Sequence, residues 1–331
     1  MSLKVKNLFF NYPSGSTFKG LRSISFELKE GDFLSVFGKS GSGKTTLLKC
    51  VYGLEDLGKG EIILNDEKIL GPAFNLIPGH SEMKLVSQDY YVLENHSVYE
   101  NILDRLSGYT DEYKKKRTEE MIRRLQLTPS KNSLAKYLSS GQRQRLSIAR
   151  ALADFPKVLL LDEPFSNLDL GLRDEIYSYI RTEAKKNNSI IMMVSHQPEE
   201  ALKFANKVMV MEQGRVLALD SPSSIYFQSL NKNVSRLLGK CFELSKADFL
   251  TTMDLKFRKD KILLRPESFS IVNKQFKKKH CQGEVIDWYF AMDRTEVLIK
   301  LQSGKKISCY SSKSNFTFGE NVFLTVNSNF K

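Results

Sequence analysis

The spacing of apolar residues changes along the chain, and each change predicts a different kind of element. Residues 3–88 contain short segments in which apolar and polar positions alternate, as at residues 24–28, which is typical of half-buried strands. The apolar segments 62–64 and 69–70 flank an Asn-Asp pair and predict a hairpin. Residues 99–153 are rich in Lys, Arg, Glu and Leu, poor in glycine, and repeat apolar positions at helical spacing. We therefore expect a strand-rich region followed by a helical one.

Three continuous apolar segments predict buried strands at residues 158–162, 190–195 and 207–211. A helical pattern covers about residues 171–187, between the first two of them. Continuous apolar strands that alternate with helices indicate a parallel sheet that is covered on both faces.

The last part of the chain has a different character. In residues 240–331 the helix signals fade, and short β-rich segments alternate with turn positions such as Gly304 and Gly319. The pattern predicts an α/β fold in residues 1–239, with a helical subdomain at about 90–153, and a small all-β domain in residues 240–331.

Composition agrees with two globular domains. The chain has 331 residues, and typical domains of ~150 residues give about two. Its hydrophobic fraction of 41% and charged fraction of 27% argue against disorder and fibrous repeats. The longest apolar runs, 158–161 and 190–194, fall short of the ~20 residues that span a bilayer, so we expect no spanning segment. The N-terminus lacks the apolar core of a secretion signal, and the four cysteines form no Cys-x-x-Cys pair. We expect neither zinc site nor disulfide framework, and a reducing, cytoplasmic setting.

The net charge favours anionic partners. Lys and Arg number 50 and Asp and Glu 38, so the formal charge is 50 − 38 = +12. The basic runs at 114–117 and 277–280 are short and lack interleaved aromatic residues, so we interpret them as solvated faces and expect no direct nucleic-acid binding.

A glycine-rich loop predicts a triphosphate site. An apolar strand at 33–37 precedes it and an apolar, helix-compatible segment at 47–51 follows it, as the pattern G-x-x-x-x-G-K-[ST] requires. Glycines let backbone N–H groups approach phosphate oxygens, and the helix N-terminus adds a positive dipole end. We expect Lys44 to neutralise phosphate charge and Thr45 to ligate Mg²⁺. The predicted nucleotide-binding residues of this loop are Gly38, Lys39, Ser40, Gly41, Ser42, Gly43, Lys44, Thr45 and Thr46.

Two acidic residues complete the predicted nucleotide site. The buried strand at 158–162 ends in Asp162 and is followed by Glu163. Strand carboxyl ends of an open α/β sheet form its ligand crevice. Asp162 is therefore expected to hold Mg²⁺, and Glu163 to polarise the attacking water.

A five-residue motif makes the interpretation more specific. Residues 138–142 read Leu-Ser-Ser-Gly-Gln, which resembles the Leu-Ser-Gly-Gly-Gln signature of ABC transporter ATPases. The resemblance spans about residues 3–235, and the other family elements occur in the expected order. These elements are the adenine-stacking aromatic at Tyr12, the Q-loop glutamine at Gln88, the D-loop at 166–169, and the switch histidine at His196. The resemblance implies an ABC-type P-loop domain with an antiparallel β subdomain, and it implies ATP and Mg²⁺ as cofactors.

The resemblance also implies a role for each element. Tyr12 stacks on adenine, Gln88 touches Mg²⁺ or the lytic water, and His196 contacts the γ-phosphate. The signature residues close over the nucleotide of a partner subunit, next to the D-loop Asp169; they are Ser139, Ser140, Gly141 and Gln142. Ser140 replaces the usual glycine, and its Cβ restricts the backbone there. We expect a working site because the other three signature residues are present.

Residues 195–202, 214–215 and 221–226 are similar to the importer branch that serves maltose, polyamines and ferric iron. That branch carries a C-terminal TOBE domain, which is OB-like. Residues 265–267 and 283–287 and Gly319 resemble that domain. The resemblance implies a second ATPase subunit, a homodimer by preference, membrane permease subunits and, indirectly, an extracytoplasmic binding protein. The expected location is the cytoplasmic face of the cell membrane. The alternatives are a soluble ABC ATPase acting on nucleic acid or ribosomes, an exporter ATPase, and a small-molecule kinase that leaves residues 138–142 unexplained.

Overall fold

The computed structural model divides the chain into two compact units, Met1–Ile225 and Tyr226–Lys331. It describes residues 1–12, 20–228, 231–248, 261–272 and 281–327. The basic run at 277–280 lies outside these residues. Within the described residues, no helix combines the length and apolar character needed to cross a bilayer.

The division between the units precedes the boundary expected at residues 239 and 240. The contacts of Arg265, which is 4% exposed, account for the difference between the two boundaries. Its Nε donates to the Tyr226 carbonyl at 2.9 Å and its guanidinium donates to the Ser235 carbonyl at 3.2 Å. The guanidinium also lies over the Tyr226 ring at 3.8 Å from its centroid. The segment before residue 240 therefore packs with the β-rich residues that follow it.

The first unit contains two sheets and six helices among its described residues. Its strands are β1 (Ser2–Phe10), β2 (Leu21–Lys29), β3 (Phe33–Phe37), β4 (Lys59–Leu64), β5 (Glu67–Lys68), β6 (Met83–Val86), β7 (Val158–Asp162), β8 (Ile190–Ser195), β9 (Lys207–Glu212) and β10 (Arg215–Asp220). Its helices are α1 (Lys44–Tyr52), α2 (Val98–Leu103), α3 (Asp111–Arg124), α4 (Ser140–Ala153), α5 (Leu170–Asn187) and α6 (Pro198–Phe204), with 3₁₀ turns at Asp104–Leu106, Thr128–Ser130 and Ala135–Tyr137. A π-helical turn covers Ser224–Gln228.

The larger sheet has the strand order β10-β9-β3-β8-β7-β6 and is parallel except for β10. Alternate residues of its central strands enter two different cores. Leu160 and Met192 pack in the core that contains α1, whereas Leu159, Leu161 and Met193 pack in the core that contains the later helices. The predicted α/β class and the buried parallel strands are confirmed.

The smaller sheet is antiparallel, with the order β2-β1-β4-β5. Its hairpin turns at Asn65 and Asp66, whose φ angles are 48° and 71°, as a two-residue turn requires. The turn pairs Leu64 with Glu67, so the second strand is Glu67–Lys68 rather than the expected residues 69–70.

The helical region is organised around a buried polar network. Asn101, which is fully buried, donates through Nδ2 to the carbonyls of Leu93, His96 and Ser97 at 2.9, 3.1 and 3.0 Å. Its Oδ1 accepts from the Leu93 N–H at 2.8 Å and from the Arg150 guanidinium at 2.8 Å. One side chain therefore joins α2, the loop before it and α4. The first helix of this region begins at Val98, one residue before the helical pattern that the sequence shows from residue 99.

The second unit is mainly antiparallel. Its elements are α7 (Lys232–Leu237), β11 (Phe242–Ser245), β12 (Lys261–Leu264), β13 (Phe269–Val272), β14 (Cys281–Ala291), β15 (Arg294–Leu301), β16 (Lys306–Ser311) and β17 (Asn321–Val326), with 3₁₀ turns at Lys246–Asp248 and Pro266–Ser268. Five strands form one sheet in the order β13-β17-β14-β15-β16, and β16 also contacts β13. Val285, Val297 and Leu324 lie in its core. This arrangement agrees with the predicted OB-like domain.

We predict that Asn101→Ala destabilises the first unit by about 2–4 kcal/mol, because it leaves the buried Arg150 charge and several backbone groups without this partner. Urea unfolding followed by circular dichroism measures the change. Asn95→Ala is the matched control, since Asn95 is exposed, and we expect a change within about 0.5 kcal/mol. Equal effects of the two variants would contradict the prediction.

Candidate nucleotide-binding site

Three neighbouring strands carry the predicted chemistry at their carboxyl ends. The register pairs Phe37 of β3 with Ser195 of β8, and Asp162 of β7 with Val194 of β8. The residues that follow these strands therefore emerge along one edge of the sheet. They belong to the glycine-rich loop, to the pair of acids and to the segment with the predicted switch histidine.

Glycine is required at two points of the loop. A Cβ at Gly38 would lie 2.3 Å from the Met211 carbonyl oxygen, so only glycine fits beside β9. Gly43 caps α1 with φ +99°, in the left-handed region that favours glycine. Lys39, Ser40 and Gly41 are exposed at the loop's outer side. The loop is thus shaped to present backbone to a ligand at the start of a helix.

Lys44 is buried at 6% exposure and its Nζ donates to the carbonyls of Gly38 at 2.9 Å and Lys39 at 3.0 Å. Burial lowers the pKa of the Lys44 ammonium, although the negative charges of Glu163 and Asp162 oppose this effect. Ser42 is 3% exposed, and its Oγ has no hydrogen-bond partner among the described residues. A desolvated cation and an unpaired hydroxyl at a helix N-terminus fit the phosphates of a nucleotide.

Two of the three predicted Mg²⁺ ligands, Thr45 and Asp162, are in contact. The Thr45 hydroxyl donates to Asp162 Oδ1 at 3.1 Å. Burial raises the pKa of the Asp162 carboxyl, and the neighbouring Glu163 charge adds to the rise. A hydroxyl beside a desolvated carboxylate is an oxygen donor set that suits Mg²⁺. Gln88 lies in the exposed turn after β6, and no hydrogen bond joins it to Thr45 or Asp162 within the described part of the chain.

Glu163 has an unusual backbone for its residue type. Its φ of 47° places it in the left-handed region, which is strained for a residue with a Cβ. Its N–H donates to the Val194 carbonyl at 3.2 Å, and this bond fixes the turn against β8. The carboxylate Oε2 lies 3.1 Å from Nδ1 of His196, with the two side chains 23% and 51% exposed. The structure thus brings the predicted base and the predicted switch histidine together at the open edge.

The signature segment forms the start of α4. The Ser139 side chain accepts from the Gln142 N–H at 3.2 Å, and Gln142 Oε1 accepts from the Ser139 N–H at 2.9 Å, which is a capping box. Ser139 and Ser140 are exposed, and Ser140 is the first helical residue. Ser140 is not among the described residues with positive φ, so its Cβ causes no backbone strain. A Cβ at Gly141 would lie 3.6 Å from the Asn167 carbonyl, which puts the signature beside the D-loop segment.

Tyr12 lies next to the phosphate loop. Its hydroxyl is 3.0 Å from the Thr46 hydroxyl, and its ring packs edge-on against Phe10 with centroids 4.8 Å apart. The predicted adenine-stacking aromatic is therefore anchored to α1.

Sequence reasoning missed a link between the Q-loop and the D-loop segments. The Tyr90 hydroxyl accepts from Asn167 Nδ2 at 3.2 Å and lies 3.4 Å from the Ser166 hydroxyl. Gln144 of α4 donates to the Pro164 carbonyl at 2.8 Å. Asp169 ends this segment by capping α5, where its side chain accepts from the Leu172 N–H at 3.0 Å. A tyrosine two positions after Gln88 carries no pattern that announces such a contact.

The site defines a P-loop nucleoside triphosphatase, on the evidence of the glycine loop, the buried Lys44, the Thr45–Asp162 contact and the strand order.

Comparisons with known proteins identify the family within this class. Residues 21–166 match the family model described as ABC transporter. The Fe(3+) ions import ATP-binding protein FbpC 2 of Haemophilus influenzae is 33% identical, over 81% of this chain and 79% of its own. The spermidine/putrescine import ATP-binding protein PotA of Thermotoga maritima is 28% identical, over 99% of this chain and 95% of its own.

Two solved structures are also similar. The dimeric ATP-binding cassette MJ0796, in a post-hydrolysis state bound to ADP and Pi, has a TM-score of 0.58 and 25% identity, over 66% of this chain and 98% of its own. The protein cbiO1 of Clostridium perfringens, part of the ABC transporter complex cbiONQ, has a TM-score of 0.55 and 26% identity, over 67% of this chain and 89% of its own. The chain belongs to the ATP-binding proteins of ABC transporters, and it is an ATPase. The fold and family expected from residues 138–142 and the surrounding motifs are confirmed.

We predict that Ser140→Gly changes ATP turnover by less than about twofold, because the backbone at this position is already right-handed helical and glycine relieves no strain. The purified variant's kcat and thermal midpoint measure the effect. A large gain in kcat would show that the serine Cβ obstructs the signature site.

We predict that Glu163→Gly is more stable than Glu163→Ala by about 1 kcal/mol, because glycine adopts the left-handed backbone without strain. Both variants lack the carboxylate, so their difference isolates the backbone term. Chemical denaturation of the two proteins measures it. Equal stability, or a more stable alanine variant, would contradict the assigned strain.

Proposed function

We propose that the chain is the ATP-hydrolysing subunit of an ABC importer, a peripheral protein on the cytoplasmic face of the membrane. The observation that carries this proposal is the import ATP-binding protein of Thermotoga maritima, whose similarity covers 99% of this chain, including the second unit. The Haemophilus relative supports it, since it is also named as an import ATP-binding protein. The names of these relatives do not favour an ATPase that acts on nucleic acid or ribosomes.

The proposed cofactors are ATP and Mg²⁺. The N-terminus of α1 and the loop before it bind the phosphates, with Lys44 as the neutralising cation. Thr45 and Asp162, whose side chains are hydrogen-bonded at 3.1 Å, would hold the metal ion, and Gln88 would be the third ligand. Bound Mg²⁺ supplies neutralisation of the phosphate oxygens. Tyr12 offers its ring to adenine beside the loop.

For hydrolysis we assign Glu163 as the base that orients and polarises the attacking water. Its strained backbone and open-edge position are typical of a residue that geometry holds in place for chemistry. His196, at 3.1 Å from the Glu163 carboxylate, is assigned to the transferring phosphoryl group, and the contact keeps its ring at the open edge.

The second half of each site is proposed to come from another copy of the chain. Ser139 and Ser140 are exposed at the N-terminus of a 14-residue helix, where the dipole favours an anion. Within one chain the capping box pairs Ser139 with Gln142, and we propose that the exposed helix end receives its anion from the site of another subunit. The related cassette MJ0796 was solved as a dimer. We therefore propose a homodimer in which residues 139–142 and Asp169 close over the partner's nucleotide.

The remaining partners follow from the importer assignment. Integral membrane permease subunits bind the ATPase dimer, and ATP-driven closure shifts them between two access states. An extracytoplasmic binding protein delivers the cargo, so cargo choice is assigned to these partners. The second unit is proposed to be a TOBE-like domain.

We predict that Glu163→Gln lowers kcat at least about 100-fold and traps an ATP-bound dimer, because the amide cannot accept the water proton. Size-exclusion chromatography with light scattering, with and without ATP and Mg²⁺, measures the dimer. Adding Lys44→Ala to Glu163→Gln is the control and should abolish the dimer. Unchanged turnover in Glu163→Gln would contradict the catalytic assignment, and isolation with nucleic acid instead of membrane subunits would contradict the importer.

A further inference from the structure

A largely buried ion pair lies next to the switch histidine and joins α5 to α6. The Arg173 guanidinium donates to Glu200 Oε1 at 2.8 Å, and the two side chains are only 15% and 11% exposed. Neither residue belongs to the motifs that bind nucleotide. Their contacts nevertheless lead directly to the catalytic edge of the sheet.

Both chain neighbours of His196 are bound to this pair. The Ser195 hydroxyl donates to Glu200 Oε2 at 2.6 Å and accepts from the Gln197 N–H at 3.1 Å. The Gln197 side-chain oxygen accepts from Arg173 at 3.2 Å. The residues before and after His196 are therefore held by side chains of α5 and α6, whereas the half-exposed imidazole is in contact with Glu163.

The ion pair adds little net stability to the fold. Burying two charges costs desolvation energy that their attraction roughly offsets. Arg173 Nε also has no hydrogen-bond partner within the described residues. The packing of α5 against α6 rests on an aromatic stack instead, in which Tyr177 and Phe204 lie parallel with centroids 3.6 Å apart.

We propose that Arg173 and Glu200 are positioning residues for ATP hydrolysis, which hold residues 195–197 so that His196 faces Glu163. Arg173 lies in the first turn of α5, whose N-cap is the D-loop Asp169, and its N–H donates to the Asp169 carbonyl at 3.0 Å. The pair thus connects the D-loop with the switch histidine in the same chain. This inference rests on the catalytic roles proposed for Glu163 and His196.

The test compares Arg173→Lys and Glu200→Gln with a control pair on the same two helices. Lysine keeps the charge but cannot donate to Gln197 and Glu200 in the same fork geometry, and glutamine keeps an acceptor for Ser195. We expect each variant to lower kcat about tenfold while the KM for ATP changes less than about threefold, since binding residues stay in place. Asp174→Asn removes the exposed Lys203–Asp174 pair, 2.7 Å apart, and should leave kcat unchanged.

A second measurement follows the histidine itself. The chain has 4 histidines, so the imidazole signals are few enough to assign by NMR with a His196→Ala reference. Arg173→Lys should shift the His196 signal in the nucleotide-free protein, and Asp174→Asn should leave it in place. Circular dichroism and thermal midpoints establish that the variants are folded.

Two results would overturn the inference: an unshifted His196 signal with normal kcat in both Arg173→Lys and Glu200→Gln, or the same loss of kcat in Asp174→Asn. A different result would overturn the proposed function. If Glu163→Gln and His196→Ala themselves retain full kcat, the catalytic assignment fails before the positioning pair is tested.

Discussion

The structure depends on keeping a positive and a negative charge out of water at one edge of a parallel sheet. Lys44 and Asp162 are 6% and 3% exposed, and burial moves the pKa of each toward its neutral form. In the free protein the ammonium is satisfied by loop carbonyls and the carboxylate by one hydroxyl. In the proposed function, phosphate oxygens and a divalent ion replace these partners, so nucleotide binding is proposed to relieve the electrostatic cost of burying both charges.

The surroundings of this charge pair fit the proposed reaction, in which a second subunit supplies part of each site. Glu163 and His196 occupy the open edge, and the strained Glu163 backbone is held by a bond to β8. Tyr90, Gln144 and Asn167 connect the Q-loop, the signature helix and the D-loop within one chain. These hydrogen bonds place the three segments side by side.

The sequence predicted those parts of the molecule that have a local signal. The glycine loop, the apolar strands at 158–162 and 190–195, and the all-β character of the last residues follow from spacing and composition, and the structure has them. Contacts between distant segments were missed, because the partners of Tyr90 and Arg173 lie 24 or more residues away in the sequence and carry no local pattern. The contacts of Arg265 with the carbonyls of Tyr226 and Ser235 also join segments that are distant in sequence, and no local pattern announces them. The left-handed backbone of Glu163 had no signal either, because acids at strand ends are usually unstrained.

The central claim is that one nucleotide lies between the loop of one subunit and the signature of another. Ser40 and Ser139 are both exposed, and three of the four native cysteines are buried. In a Glu163→Gln, Cys241→Ser background, a chain with Ser40→Cys is mixed with a chain with Ser139→Cys and treated with a short bifunctional thiol reagent. A covalent dimer that forms with ATP and Mg²⁺, and is absent when two Ser40→Cys chains are mixed, is the predicted result. The claim would be contradicted if, in the presence of ATP, each cysteine reacts with the reagent but no covalent mixed dimer forms.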